Sequence, residues 1–198
     1  MADRPALVLT SRFDDALAFA VDLHRVQPRK GTGVPYVSHL LSVAALVLEH
    51  GGTEDQAIAA LLHDAVEDQG GRPTAEAIRA RFGDLVAEIV DGCTDTDVTP
   101  KPPWRPRKEA YLARVRHEPA HVRLVSAADK LHNARTMVTD LRIHGAALWT
   151  HFNAGRDETL WYLESLVAAF REAGTMPIVE ELARTVEELR AVSGNGHA

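Results

Sequence analysis

Apolar residues along this chain recur at intervals of three and four, the period of a helix, and never settle into strict alternation. Phe13, Ala16, Leu17, Ala20, Val21 and His24 mark a first helix, opened by a capping box of Ser11 with Asp14 and ending near Pro28. Gly31, Gly33 and Pro35 make a turn-rich loop. Ser38 then caps a second helix carrying His39, Leu41, Ala44, Ala45, Leu48 and Glu49, which Gly51 and Gly52 stop. Thr53 with Gln56 opens a third, which runs through the apolar stretch from Ala57 to Leu62 and carries His63 and Asp64. Gly70, Gly71 and Pro73 break the chain, Thr74 starts a short helix ending at Gly83, and Asp84 begins another through Val90.

From Asp91 to Pro106 the pattern fails. Thr94-Asp95-Thr96-Asp97 precedes Pro100, Pro102, Pro103 and Pro106, a mixture that sustains neither helix nor central strand and predicts a long loop, a candidate lid. Helix resumes over Arg107 to His117. A long amphipathic run follows from His121 to about Leu141, with Val122, Val125, Ala128, Leu131 and Ala134 apolar and Asp129 in its middle. Trp149, Phe152, Leu160, Trp161, Tyr162, Leu163, Leu166, Val167 and Phe170 supply core side chains to a further helix. Pro177 introduces a last one over about 178–192, and the tail 193–198 is expected to fray. With no strand pattern, the fold class is all-α, a compact helical bundle in one domain.

Composition narrows the chemistry. The 198 residues carry a formal net charge of −6, against the broad basic face that nucleic-acid binding requires. Arg25 with Arg29 and Lys30, and Lys101 with Arg105, Arg107 and Lys108, are local basic clusters suited to a small phosphorylated ligand or, equally, to solvated loops. Cys93 is the only cysteine, which excludes an internal disulfide and a thiolate metal cluster. No apolar run approaches the roughly 20 residues needed to cross a bilayer, and Met1 to Pro5 does not begin a secretory signal, so no membrane partner and a cytoplasmic location are expected.

The most informative segment is His63-Asp64-Ala65-Val66-Glu67-Asp68. A spacing of four on a helix sets Glu67 over His63 and Asp68 over Asp64, so four ionisable groups hang from a largely apolar element. Burying them is costly without partners, and a metal reconciles the cost. His39 and Asp129 have matching donor chemistry and compatible positions. Taken one at a time, each histidine reads more readily as a hydrogen-bonded core or surface residue than as a ligand, and Glu67 with Asp68 equally well as a solvated acidic helix end. Glu67 and Asp68 reach the same centre only if the helix ends or bends there, which Gly70 and Gly71 permit.

Three ordered motifs carry a family resemblance. Arg29-Lys30 followed by Gly33-Val34-Pro35-Tyr36-Val37-Ser38-His39, then His63-Asp64-Ala65-Val66-Glu67-Asp68, then Ala128-Asp129-Lys130-Leu131-His132-Asn133-Ala134-Arg135 resemble the HD-type hydrolase domain of RelA/SpoT proteins over about residues 12–172. The chain is similar to the stand-alone small alarmone hydrolases of metazoan type. That likeness implies one HD hydrolase domain over 1–198, with His39, His63, Asp64 and Asp129 as ligands of Mn²⁺ and Glu67 and Asp68 as the catalytic acidic pair. It implies Arg29, Lys30 and Asn133 as substrate contacts, with Thr136 and Arg156 as weaker ones, while Tyr36 and His132 buttress the site. A nitrogen and oxygen donor set suits Mn²⁺ and leaves Zn²⁺ and Fe²⁺ open.

The implied reaction is metal-assisted removal of the 3′-pyrophosphate of guanosine tetra- or pentaphosphate. Leu40, where the family commonly has proline, is a departure that alters how a helix begins and not the ligand itself. Two alternatives stand beside this reading. One is another HD-type nucleotide phosphohydrolase, including one acting on the 2′-phosphate of NADPH; the other is a non-catalytic nucleotide sensor, which would be expected to have lost His63, Asp64 or the acidic pair.

Overall fold

Every side chain from Ala57 to Leu62 is fully buried. A segment apolar on all faces belongs at the centre of a helical assembly. The computed structural model describes residues 6–96, 98 and 100–194, and arranges them as α1 (Ser11–His24), α2 (Val37–Glu49), α3 (Glu54–Leu62), α4 (Ala65–Asp68), α5 (Arg72–Phe82), α6 (Asp84–Cys93), α7 (Trp104–Val115), α8 (Ala120–His144), a 3₁₀ segment (Gly145–His151), α9 (Gly155–Ala173) and α10 (Pro177–Gly194). The buried stretch is α3, around which α1, α2, α6 and α8 pack, while α8 is covered on its far side by α10. No strand occurs among the described residues, and no helix there is long and apolar enough to cross a membrane.

The predicted capping box of α3 is present: Thr53 Oγ1 accepts from the Gln56 amide at 3.3 Å, and Gln56 Oε1 accepts from the Thr53 amide at 2.8 Å. Other boundaries are corrected. Thr10, and not Ser11, caps α1, its hydroxyl accepting from the Arg12 amide at 3.2 Å. Helix α2 begins before Ser38 and has no side-chain cap. Helix α5 begins at Arg72, two residues before Thr74, because Pro73 is well tolerated in a first turn that lacks amide partners. The same tolerance lets α7 start at Trp104 with Pro106 inside it, which shortens the predicted loop to 94–103. Asp97, part of that predicted loop, lies outside the described residues. Ser193 and Gly194 continue α10, so only 195–198 of the supposed tail lie outside the described residues.

The third helix does not carry Asp64. It stops at Leu62, His63 is its last half-helical residue, and Asp64 stands at φ −98°, ψ −1° before the single turn of α4. That bridge conformation is sparsely populated and recurs at functional sites. Gly71, at φ +60°, then turns the chain away into α5. Directly before α2, Pro28 and Pro35 form an isolated antiparallel bridge, with the Arg29 amide donating to the Val34 carbonyl at 2.6 Å and the Tyr36 amide to the Gln27 carbonyl at 2.8 Å. This closes the loop that holds Arg29 and Lys30. Helices α6 and α8 approach closely at Gly92, where a Cβ would stand 2.5 Å from Val122 Cγ1.

Candidate active site

Three helices deliver the site. His39 projects from the first turn of α2, His63 from the end of α3, and Asp129 from the middle of α8, all buried. Their donor atoms converge: His39 Nε2 is 3.3 Å from His63 Nε2 and 3.2 Å from Asp129 Oδ1, and His63 Nε2 is 3.6 Å from Asp129 Oδ1. One donor atom from each lies within 4.8 Å of the others, a grouping able to hold a metal ion. Asp64 stands beside this group of three and not within it: its Oδ2 is 3.0 Å from His63 Nε2 and 3.7 Å from His39 Nε2, and its side chain is only partly buried.

The surroundings orient these donors. His63 Nδ1 lies 2.8 Å from the Ala60 carbonyl, an acceptor, so Nδ1 carries a proton and Nε2 faces the cluster. His39 Nδ1 meets His132 Nδ1 at 2.7 Å. Tyr36 donates its hydroxyl to Asp64 Oδ2. Asp129 Oδ1 accepts from Asn133 Nδ2 at 2.6 Å, and its Oδ2 from Lys130 Nζ, also at 2.6 Å. Three buried donors, with the partly buried Asp64 and Lys130 beside them, form a nitrogen and oxygen group suited to a divalent ion, with no sulfur contributed.

Titration follows from this crowding. Burial alone would lower His63, but the Asp64 charge and its hydrogen bonds with Asp129 and Asp64 raise it well above the ordinary imidazole value. His39 moves down, because burial outweighs the pull of Asp129. Burial opposes ionisation of Asp64 and Asp129, yet His63 holds the first below the usual carboxylate range and Lys130, with His39 and His63, the second. His132 is pushed down to about 4 by burial, then by His39 and Arg29.

The break after His63 turns α4 so that Glu67 and Asp68 form one flank. Lys101, from the loop before α7, donates to Glu67 Oε1 at 2.8 Å and lies 3.6 Å from Asp68 Oδ1, while Gln27 donates to Asp68 Oδ2 at 2.9 Å. The other flank is a cavity of about 450 Å³ whose lining includes Arg29, Lys30, Tyr36, His132, Asn133 and Thr136. Arg29 donates to Asn133 Oδ1 at 3.1 Å and to Thr136 Oγ1 at 3.2 Å, so Asn133 links the cavity to Asp129. Lys30 donates to Asn153 at 2.9 Å.

Arg156 is not brought to this cavity. It is exposed, pairs with Asp157, and lines a separate depression with Trp161 and Arg190, because α9 turns its first residues away from α2. Tyr162 is buried as predicted, whereas Trp161 is half-exposed under the Arg105 guanidinium. Sequence reasoning missed Lys130 and Gln27. Lys130 stood inside the third motif with no role assigned, its one signal being adjacency to Asp129; Gln27, in a loop, had none.

This all-helical frame, with a histidine, a His-Asp pair and a distant aspartate drawn together from separate helices, defines the class. The HD domain family model matches residues 16–160, and the chain belongs to the HD domain family. Its relatives include the guanosine-3′,5′-bis(diphosphate) 3′-pyrophosphohydrolase MESH1 of Xenopus tropicalis, 38% identical over 140 residues that cover 69% of this chain and 73% of that protein. The Homo sapiens MESH1 is 36% identical over 126 residues, covering 62% and 68%. A solved structure of a metazoan ortholog of SpoT that hydrolyzes ppGpp matches with a TM-score of 0.76 at 26% identity, covering 92% of this chain and 97% of that one. A Listeria monocytogenes protein matches with a TM-score of 0.68 at 32% identity, covering 75% and 96%. The resemblance to RelA/SpoT-type hydrolases and the all-α fold class therefore both hold.

Proposed function

We propose that this protein hydrolyses the 3′-pyrophosphate of guanosine tetra- or pentaphosphate, releasing pyrophosphate and GDP or GTP, with residues 12–172 as the catalytic core of one HD hydrolase domain. The observation that carries the proposal is the convergence of His39, His63 and Asp129 within 4.8 Å, beside a cavity bearing Arg29 and Lys30. The relatives named for this activity support it. In this reading His39, His63, Asp64 and Asp129 hold a divalent cation, Mn²⁺ by preference for a hard to borderline donor set. Such a cation, when bound, supplies Lewis acidity toward a phosphoryl oxygen and makes a water easier to deprotonate.

The chain's own groups do the rest. Of Glu67 and Asp68, one orients the attacking water and the other handles its proton, and Lys101 holds the pair in place meanwhile. Arg29 stacks on or pairs with the nucleotide, Lys30 neutralises phosphate, and Asn133 and Thr136 offer polar contacts from one face of α8. Arg156, outside the cavity, has no part in this proposal. Retention of His63, Asp64, Glu67 and Asp68 together favours turnover over passive sensing.

The test is incubation of metal-stripped protein with guanosine tetraphosphate, with and without Mn²⁺, assaying GDP and pyrophosphate, and with NADPH in parallel. Mn²⁺-dependent release of both products is expected. Phosphate release from NADPH alone would assign the site to the other phosphohydrolase branch.

A further inference from the structure

His132 stands between the metal group and the cavity. Its Nδ1 is 2.7 Å from His39 Nδ1, and its ring lines the cavity. His39 presents its other nitrogen, Nε2, to His63 and Asp129. A nitrogen that ligates a cation carries no proton, so a ligating His39 keeps its proton on Nδ1 and donates it to His132. His132 must then accept at Nδ1 and, as a neutral ring, carry its own proton on Nε2. The second ring's tautomer is dictated by the first.

We propose that His132 is a specificity-determining residue whose Nε2–H donates to an oxygen of the bound nucleotide, in a tautomer fixed by cation-ligating His39. The proposal rests on the nucleotide reading above. It assigns His132 two roles, supporting His39 from behind and contacting ligand in front. The ligand chemistry is an oxygen acceptor, on ribose or phosphate. A cavity that shares Arg29 and Lys30 suits such an acceptor better than a donor. It also ties the cation to the nucleotide: whatever strengthens one contact of the His39–His132 pair favours the other.

Imidazole ¹⁵N spectra of the whole protein loaded with diamagnetic Zn²⁺ read the tautomer without any turnover. A protonated Nε2 and an unprotonated Nδ1 on His132 are expected; protonated Nδ1 overturns the proposal. Two substitutions separate the roles. His132→Asn retains an acceptor near the Nδ1 position and lacks the forward donor, so Mn²⁺ affinity should stay within about twofold while GDP binds about tenfold more weakly. His132→Phe removes both, and both affinities should fall about tenfold. The loss extends to guanosine if the acceptor is on ribose and is confined to GDP if it is on phosphate. GDP binding indifferent to both substitutions overturns this proposal alone, whereas no GDP binding by the unaltered protein overturns the nucleotide reading as well.

Discussion

Asn133 donates to Asp129 Oδ1 across one turn of α8, at 2.6 Å, while its own carbonyl oxygen accepts from Arg29. One side chain thus links the carboxylate proposed to ligate the cation with a guanidinium of the cavity. Asn133→Ala should weaken Mn²⁺ binding by about tenfold, the ordinary cost of losing a group that orients a ligand. Isothermal titration with Mn²⁺ checks this, and unchanged affinity would show that Asp129 needs no such support.

Asp64 and Glu67 stand three residues apart, one capping the single turn of α4 and the other within it, and should separate cleanly. Asp64→Ala is expected to lose both bound metal and hydrolysis. Glu67→Ala should retain metal and lose most turnover. Elemental analysis of the purified variants, beside the guanosine tetraphosphate assay, distinguishes them, and full turnover by either variant contradicts the assigned role.

Lys130 is a largely covered ammonium against a buried carboxylate. Lys130→Met leaves Asp129 Oδ2 without its nearest donor, and breaking a buried pair from one side costs about 3 kcal/mol. Urea unfolding of the metal-free protein should show a loss of that order. Lys130→Arg should recover part of it, since a cation is restored.

The direction of pH dependence follows from His63, whose value in the folded, metal-free protein lies above that of the unfolded chain. Its contribution to stability is full below the unfolded value of about 6.5 and is lost as pH rises through the raised folded one. Asp64 and Asp129 are depressed, so theirs is present above the unfolded carboxylate value and is lost as pH falls through the lower folded ones. A cation needs His63 neutral. Metal uptake near neutrality should therefore release about one proton per ion, measured in weakly buffered solution, and metal affinity should fall as pH drops.

Much of this molecule is written locally. The 3.6-residue period and the Thr53–Gln56 capping box act between near neighbours, so a string of residues is enough to place nine of the helices to within a few positions, all but the single turn of α4. The motif residues were legible for the same reason: imidazole and carboxylate have ligand chemistry wherever they stand. What the string alone could not contain was distance. Helical spacing put His63 and Glu67 on one continuous helix, but the chain breaks after His63, and Asp64 meets Tyr36 and His63 where α2 packs against α3. Nothing local announced that Tyr111 of α7 and Tyr162 of α9 stand around Lys130, and Arg156 looked available until α9 turned it outward. Short-range hydrogen bonding and periodicity decided the helices. Packing between segments some hundred residues apart, as with Arg29 and Asn133, decided which side chains meet.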